Sequence, residues 1–88
     1  MNNDPVRLDK ALKTIDDEGG CDAIRSKYSV MLAQRDPQKR RCLLEEGALI
    51  PGGGRTPALY RPASLVKAMA RIAGLRAADE LARMEAAA

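Results

Sequence analysis

The chain has no histidine, tryptophan or phenylalanine among its 88 residues, and its aromatic side chains are Tyr28 and Tyr60. Without histidine it lacks the commonest general base and the commonest metal ligand of proteins. Its serines, Ser26, Ser29 and Ser64, therefore have no partner for a hydrolase triad. We expect an aliphatic core, no cofactor and no enzymatic activity.

Cysteine and long apolar runs are also scarce. The two thiols, Cys21 and Cys42, cannot complete a tetrahedral zinc site without at least two carboxylates, so we expect no bound metal. No stretch approaches the roughly 18 apolar residues that span a bilayer. The N-terminal segment lacks the apolar stretch of a signal peptide. These absences predict a cytoplasmic protein with reduced cysteines and no membrane contact.

Positive charge is concentrated in the middle of the chain. The net charge is +3 at pH 7, and residues 35–61 hold six basic and three acidic side chains. Of the 15 basic residues ten are arginine, whose planar fork suits bidentate contact with phosphate or guanine. A small basic domain of this kind indicates nucleic acid as one class of partner.

Proline and glycine divide the chain into a predicted series of five helices and one β-hairpin. Asp4-Pro5 predicts the start of a first helix that ends at Gly19-Gly20. Asp22 is the predicted cap of a second helix. The apolar residues expected to face inward on this second helix are Ile24, Tyr28, Met31 and Leu32.

A third helix is predicted from Asp36-Pro37 to about Glu46, with Gly47 as its terminator. Leu43 and Leu44 are its expected core residues. Its first turns carry Lys39, Arg40 and Arg41. Cations at a helix N-terminus are mildly disfavoured by the helix dipole, so they are either a solvated face or have a function there.

The remaining elements are a hairpin and two further helices. The apolar runs 48–50 and 58–60 flank Pro-Gly-Gly-Gly-Arg-Thr-Pro, which predicts two strands with a long glycine-rich loop. Arg61-Pro62 predicts the start of a fourth helix that ends at Gly74, and a fifth is predicted over about 75–87. This order, with a basic helix before a glycine-rich hairpin, is typical of a winged helix-turn-helix domain.

In that fold the second helix of the pair enters the major groove of DNA and its N-terminal residues meet base edges. The hairpin lies along the backbone or the neighbouring minor groove, which an arginine such as Arg55 can enter. The interpretation explains why cations crowd one helix N-terminus and why an arginine lies in a glycine loop.

The sequence of this region also resembles a known group of regulators. Leu-Leu-Glu-Glu-Gly-Ala-Leu-Ile-Pro at 43–51, followed by Gly-Gly-Gly-Arg-Thr-Pro-Ala-Leu-Tyr-Arg-Pro, is similar to the recognition-helix end and wing of the MerR and excisionase group. There an acidic-Gly-apolar step ends the helix, the wing carries arginine, and an apolar-Tyr-Arg strand leads into the next helix. The resemblance covers about residues 41–74 and implies a winged-helix fold and DNA binding.

The sequence therefore predicts a mainly α, small winged helix-turn-helix protein that binds double-stranded DNA sequence-specifically. It would act as a transcriptional repressor or regulator, or as an excisionase-like factor of plasmid or phage type. The predicted DNA-contacting residues are Arg35, Lys39, Arg40, Arg41, Arg55 and Arg61. In the alternative interpretation, these cations meet an acidic protein partner, and the chain is a small helical adaptor or inhibitor.

A homodimer is expected through the last predicted helix, because paired recognition helices read two half-sites about one helical turn apart. Its predicted interface residues are Leu75, Ala78, Leu81 and Met84. In the alternative, this face folds back on the first helix. The predicted division is a DNA-binding domain over 1–74 and a C-terminal helix over 75–88.

Overall fold

A computed structural model describes residues 1–87, within which the chain forms four helices and one antiparallel hairpin. The elements are α1 (Leu8–Asp17), α2 (Lys27–Arg35), α3 (Pro37–Glu45), β1 (Leu49–Ile50), β2 (Leu59–Tyr60) and α4 (Pro62–Ala87). Most of the described residues are helical. The predicted fold class, a small helical domain with a wing-like hairpin and a C-terminal helix, is confirmed.

A single residue, Asp36, joins α2 to α3. Its Oδ1 accepts hydrogen bonds from the backbone N–H groups of Gln38, at 3.0 Å, and Lys39, at 3.2 Å. Pro37 occupies the first turn of α3, where its missing N–H costs nothing. The Asp-Pro prediction is confirmed here, and Gly47 follows α3 with a φ of +70°.

The N-terminal segment is extended rather than helical. Val6 N–H donates to the Tyr60 carbonyl at 2.9 Å, and Tyr60 N–H donates to the Val6 carbonyl at 2.6 Å. The prediction that α1 starts at Asp4-Pro5 is therefore wrong, because two backbone hydrogen bonds to β2 hold Val6 extended and α1 begins at Leu8. Val6 thus lies beside β2 on the edge opposite β1.

The second helix differs from its prediction in start and in orientation. Asp22 lies in a turn, and α2 begins at Lys27. Val30 and Ala33 are its buried residues. The prediction that Tyr28, Met31 and Leu32 face inward is wrong: their exposed fractions are 72%, 37% and 58%, whereas Ile24 is half-buried. Val30 and Ala33, three positions apart, share the buried face of α2, and the turn of about 100° per residue places the three larger side chains on the other half of the helix.

The core is aliphatic, as predicted, and its largest fully buried side chains are Val30, Leu43 and Leu65. Tyr60 is its one aromatic member among the described residues. Leu44, expected inside, is 42% exposed. Cys42 and Leu43 occupy the buried side of α3, and Leu44, about 100° further around the helix, lies at the surface.

The last helix is continuous, so the predicted break at Gly74 is wrong and four helices replace the expected five. Gly74 is flanked by good helix formers and has no positive φ. The first half of α4 packs on the core through Leu65, Met69 and Ile72. Residues 73–87, named the arm here, are all exposed and do not fold back on α1.

The predicted boundary between residues 74 and 75 therefore lies inside a helix. Although α4 is 26 residues long, neither it nor any other helix in the described chain is apolar enough to cross a membrane.

Candidate nucleic-acid interface

The hairpin, residues 49–60, forms a wing beside α3. Leu49 pairs with Tyr60 and Ile50 with Leu59, and a turn closes the loop where Thr56 N–H donates to the Gly53 carbonyl at 2.9 Å. The loop from Pro51 to Pro57 is exposed throughout. Exposed backbone groups at such a tip are available to a partner because the short ladder does not use them.

A groove of about 390 Å³ separates α3 from the wing, and we name it the wing groove. Gln34 from the end of α2, Arg40 from α3 and the backbone of residues 51–54 line it. Arg40 is half-buried. Burial raises the pKa of the Tyr60 phenol, and the charge of Arg40 partly offsets that rise.

The three adjacent cations of α3 lie on different sides of that helix. Arg40 faces the wing groove, whereas Lys39 lines a second groove of about 410 Å³ between α2 and α4, together with Met69 and Ile72. Arg41 is exposed on the outer surface. Successive residues turn about 100° around a helix, so Lys39, Arg40 and Arg41 cannot all meet one groove of DNA.

The other three predicted contacts lie at the ends of neighbouring elements. Arg35 is exposed in the last turn of α2, where the helix dipole favours a cation. Arg55 is exposed at the wing tip. Arg61 is half-buried at the root of the wing, and its Nη1 donates to the Asn3 carbonyl at 3.5 Å. Arg61 is thus partly committed to holding the N-terminal segment.

None of the six predicted cations has a carboxylate within 4.0 Å in the part of the chain that the structure describes. The acidic residues of the same segment are engaged elsewhere. Asp36 caps α3, and Nη1 of Arg71 on α4 binds Glu45 at 2.9 Å and Glu46 at 3.4 Å. The hydrogen bond from Arg71 to Glu45 is the main cause of the raised pKa of that guanidinium. The surface of α3 and the wing therefore keeps a net positive charge.

Two residues on this surface were not among the sequence predictions. Gln38 is exposed three residues before Arg41, so the two side chains share one face of α3. Gln34 lines the wing groove. Helical spacing was a usable signal for Gln38. The role of Arg71 had no sequence signal, because it depends on how α3 packs against α4.

The predicted interface residues of the arm spread around half its circumference. Each three-residue step falls about 60° short of a full turn, so Leu75 and Met84 lie on opposite sides of the helix. The exposed fractions of Leu75, Leu81 and Met84 are 37%, 57% and 70%, and Ala78 is also exposed. No other element of residues 1–87 covers them.

Both cysteines are free thiols, Cys21 half-buried and Cys42 buried. Within residues 1–87 no group of three or more cysteine and carboxylate side chains is placed to hold a metal ion. Comparisons with protein-family models, curated proteins and solved structures found no match.

Proposed function

We propose that this protein binds double-stranded DNA through α3 and the wing. The observation that supports the proposal most is the charge arrangement. Six cations on and around these elements have no carboxylate within 4.0 Å, while Arg71 holds the two acidic residues at the end of α3. Cations without a carboxylate partner are available to phosphate, and their binding releases the counterions condensed on DNA.

The exposed face of α3 would read the bases. An α-helix with its side chains is about 10–12 Å across, so α3, with nine residues, fits the major groove, which is about 12 Å wide. Gln38 and Arg41 share the outer face, and these side chains are suited to bidentate contact with adenine and guanine respectively. Their separation of one helical turn lets both reach neighbouring base pairs.

The wing and the end of α2 would position the protein on the backbone. Arg55 at the exposed loop tip can enter a minor groove or contact its phosphates. Arg35, at the end of α2, and Arg40, on the side of α3 that faces the wing groove, would contact phosphates. Lys39 and Arg61, which face α4 and Asn3, would contribute less.

The finer role that we propose is transcriptional repression or excisionase-like assembly on DNA. A small body that occupies a major groove and its neighbouring minor groove acts by excluding other proteins or by shaping the duplex. A cytoplasmic location is part of the same proposal, since the protein would share the compartment of its DNA.

The test is a fluorescence anisotropy titration of a labelled duplex, selected from genomic fragments, at several salt concentrations. Arg41→Ala and Arg55→Ala should each lower the salt slope by about one when the residue contacts phosphate. If Arg41 reads a base, Arg41→Ala should weaken binding to its selected site by about 1–3 kcal/mol.

Arg83→Ala is the matched control, because Arg83 is an exposed arginine on the arm, away from α3 and the wing. It should bind DNA as the wild type does. A triple variant in which Arg35, Arg41 and Arg55 are alanine should lose most of its affinity. If this variant is folded and binds with unchanged affinity and salt dependence, the proposal is wrong.

The second candidate is a small adaptor or inhibitor that binds an acidic protein. Exposed apolar side chains on α2 favour a protein partner, since Tyr28 and Leu32 lie one turn apart and face solvent, and the cations of residues 35–61 would supply its acidic complement. Tyr28→Ala with Leu32→Ala separates the two candidates. It should leave DNA affinity unchanged if the DNA proposal holds, and it should abolish a stoichiometric protein complex in a pull-down if the adaptor proposal holds.

A further inference from the structure

The apolar side of α4 changes direction along the helix. In its first half, Leu65, Met69 and Ile72 face the core. The same side continues into the arm as charged residues, Arg76, Asp79 and Arg83. The opposite side of the arm is mostly uncharged: it consists of Gly74, Leu75, Ala77, Ala78, Leu81, Ala82 and Met84, with Glu85 near the tip. Because α4 is one continuous helix, this surface points away from its own core.

A regular seam runs along that outward side. Its residues alternate in spacing between three and four, as in a helix that pairs with another helix. The seam consists of Arg71, Gly74, Ala78, Leu81 and Glu85, all of them exposed. It has a cation at its base, an apolar centre with one gap, and an anion near its tip.

Gly74 leaves a gap in the seam, because it has no side chain, and nothing within one copy of the chain requires a glycine at this position. A Cβ built there meets nothing within 4 Å, and the residue has no positive φ. Glycine is nonetheless the least favourable helix-interior residue after proline. In helix pairs, glycine allows a side chain or backbone of the second helix to come close.

We propose that the arm pairs with the arm of a second copy, antiparallel, about a two-fold axis at Ala78. A helix rises about 1.5 Å per residue, so in this register Leu81 of one copy lies within about 1.5 Å, along the axis, of the level of Gly74 of the other. Each Leu81 then fills the gap at Gly74, on either side of a contact between the two Ala78 residues.

Charge selects the antiparallel direction. In this register Arg71 of one copy lies level with Glu85 of the other, and the same pair repeats at the far end. A parallel pair would place Arg71 beside Arg71 and Glu85 beside Glu85. Both intramolecular contacts of Arg71 use Nη1, which leaves the other donors of its guanidinium available to Glu85.

This inference does not rest on DNA binding, so its test uses the free protein. Sedimentation equilibrium of the full chain should show a concentration-dependent dimer. Leu81→Glu should raise the dimer dissociation constant by about tenfold or more, as changes at an interface centre do. Arg83→Glu, a charge change on the opposite side of the arm, should leave it within about threefold. A wild type that stays monomeric at millimolar concentration overturns the proposal.

Gly74→Ala tests whether Leu81 of the second copy occupies the space beside Gly74. Alanine is the better helix former, so the unfolding temperature of the dilute, monomeric variant should rise by about 4 °C. Its dimer should be weaker than that of the wild type by about tenfold, because the methyl group occupies the space of Leu81 from the other copy. A Gly74→Ala variant that dimerises as well as the wild type refutes the register.

Cysteine cross-linking tests the direction of the pair. Under mild oxidation Ala78→Cys should give a covalent dimer, because the two substituted positions face each other across the axis. Glu85→Cys should not, because the antiparallel register separates its two copies by about 21 Å along the helices. Efficient cross-linking of both variants would indicate a parallel pair and would overturn the proposed arrangement.

Discussion

The three consecutive glycines of the wing loop differ in what a methyl group would meet. A Cβ at Gly52 would collide with the Thr56 carbonyl oxygen and would lie 2.7 Å from the Ala58 nitrogen. A Cβ at Gly53 meets nothing within 4 Å, and Gly53 has no positive φ. Gly54 also has open space, but its φ is +57°. Alanine substitution therefore tests a steric collision at Gly52, open space at Gly53 and backbone strain at Gly54.

The expected order of stability follows from these differences. Gly53→Ala should be neutral or stabilising by up to about 1 kcal/mol, because alanine restricts the unfolded chain. Gly54→Ala should cost roughly 1–2 kcal/mol for a left-handed backbone. Gly52→Ala should cost about 1–3 kcal/mol, because the obstacle is backbone on the opposite side of the loop and the wing must open to admit the methyl group.

Thermal unfolding followed by circular dichroism at 222 nm measures the series. In a domain of this size a change of 1 kcal/mol moves the unfolding temperature by about 4–8 °C. Gly53→Ala is the matched control, since it makes the same chemical change one residue away. If Gly52→Ala is as stable as Gly53→Ala, the two sides of the wing do not approach each other as closely at Gly52 as the structure shows.

Two further predictions concern the turn before α3 and the buried tyrosine. Asp36→Ala removes the acceptor of the Gln38 and Lys39 N–H groups and should lower the free energy of unfolding, measured by urea denaturation, by about 1 kcal/mol. Asp36→Asn keeps a side-chain acceptor and should retain most of the stability of the wild type. Burial raises the pKa of Tyr60 in the folded protein above its ordinary 10.0. The neutral phenol therefore contributes fully to folding stability below about pH 10, and this contribution is lost as the pH rises through the pKa of the folded state. Alkaline destabilisation above about pH 10 should therefore be weaker in Tyr60→Phe, and an unchanged profile would show that ionisation of Tyr60 does not cause it.

The sequence predicted those elements whose ends are fixed by local hydrogen bonds. Asp36 satisfies the first N–H groups of α3 with its own side chain, and Ala48 N–H closes the helix on the Leu43 carbonyl at 2.9 Å just after Gly47. These bonds join residues at most five positions apart. A short window of sequence therefore contains all the information needed to place them.

Elements fixed by distant partners were mispredicted. Asp4-Pro5 has the form of a helix start, but pairing of Val6 with Tyr60 keeps that segment extended. Gly74 has the form of a helix end, yet nothing forces a left-handed residue there and the helix continues. The turn of about 100° between adjacent residues separates Lys39 from Arg40, but the groove that each one lines depends on the packing of α3 between the wing and α4, which spacing along the chain does not reveal.

The attachment of the N-terminus to the root of the wing sets an order for folding during synthesis. The Asn3 side chain donates to Ser64 Oγ and accepts from Ser64 N–H, both at 3.1 Å, across 61 positions of the chain. Closing a loop of that length costs on the order of 3.7 kcal/mol in chain entropy beyond a constant term. The contacts between α2 and α3 are local, because one residue joins the two helices, and they can form early. A nascent chain that has not yet emerged past Ser64 therefore carries an undocked N-terminal segment, which joins β2 and α4 only once these elements are available.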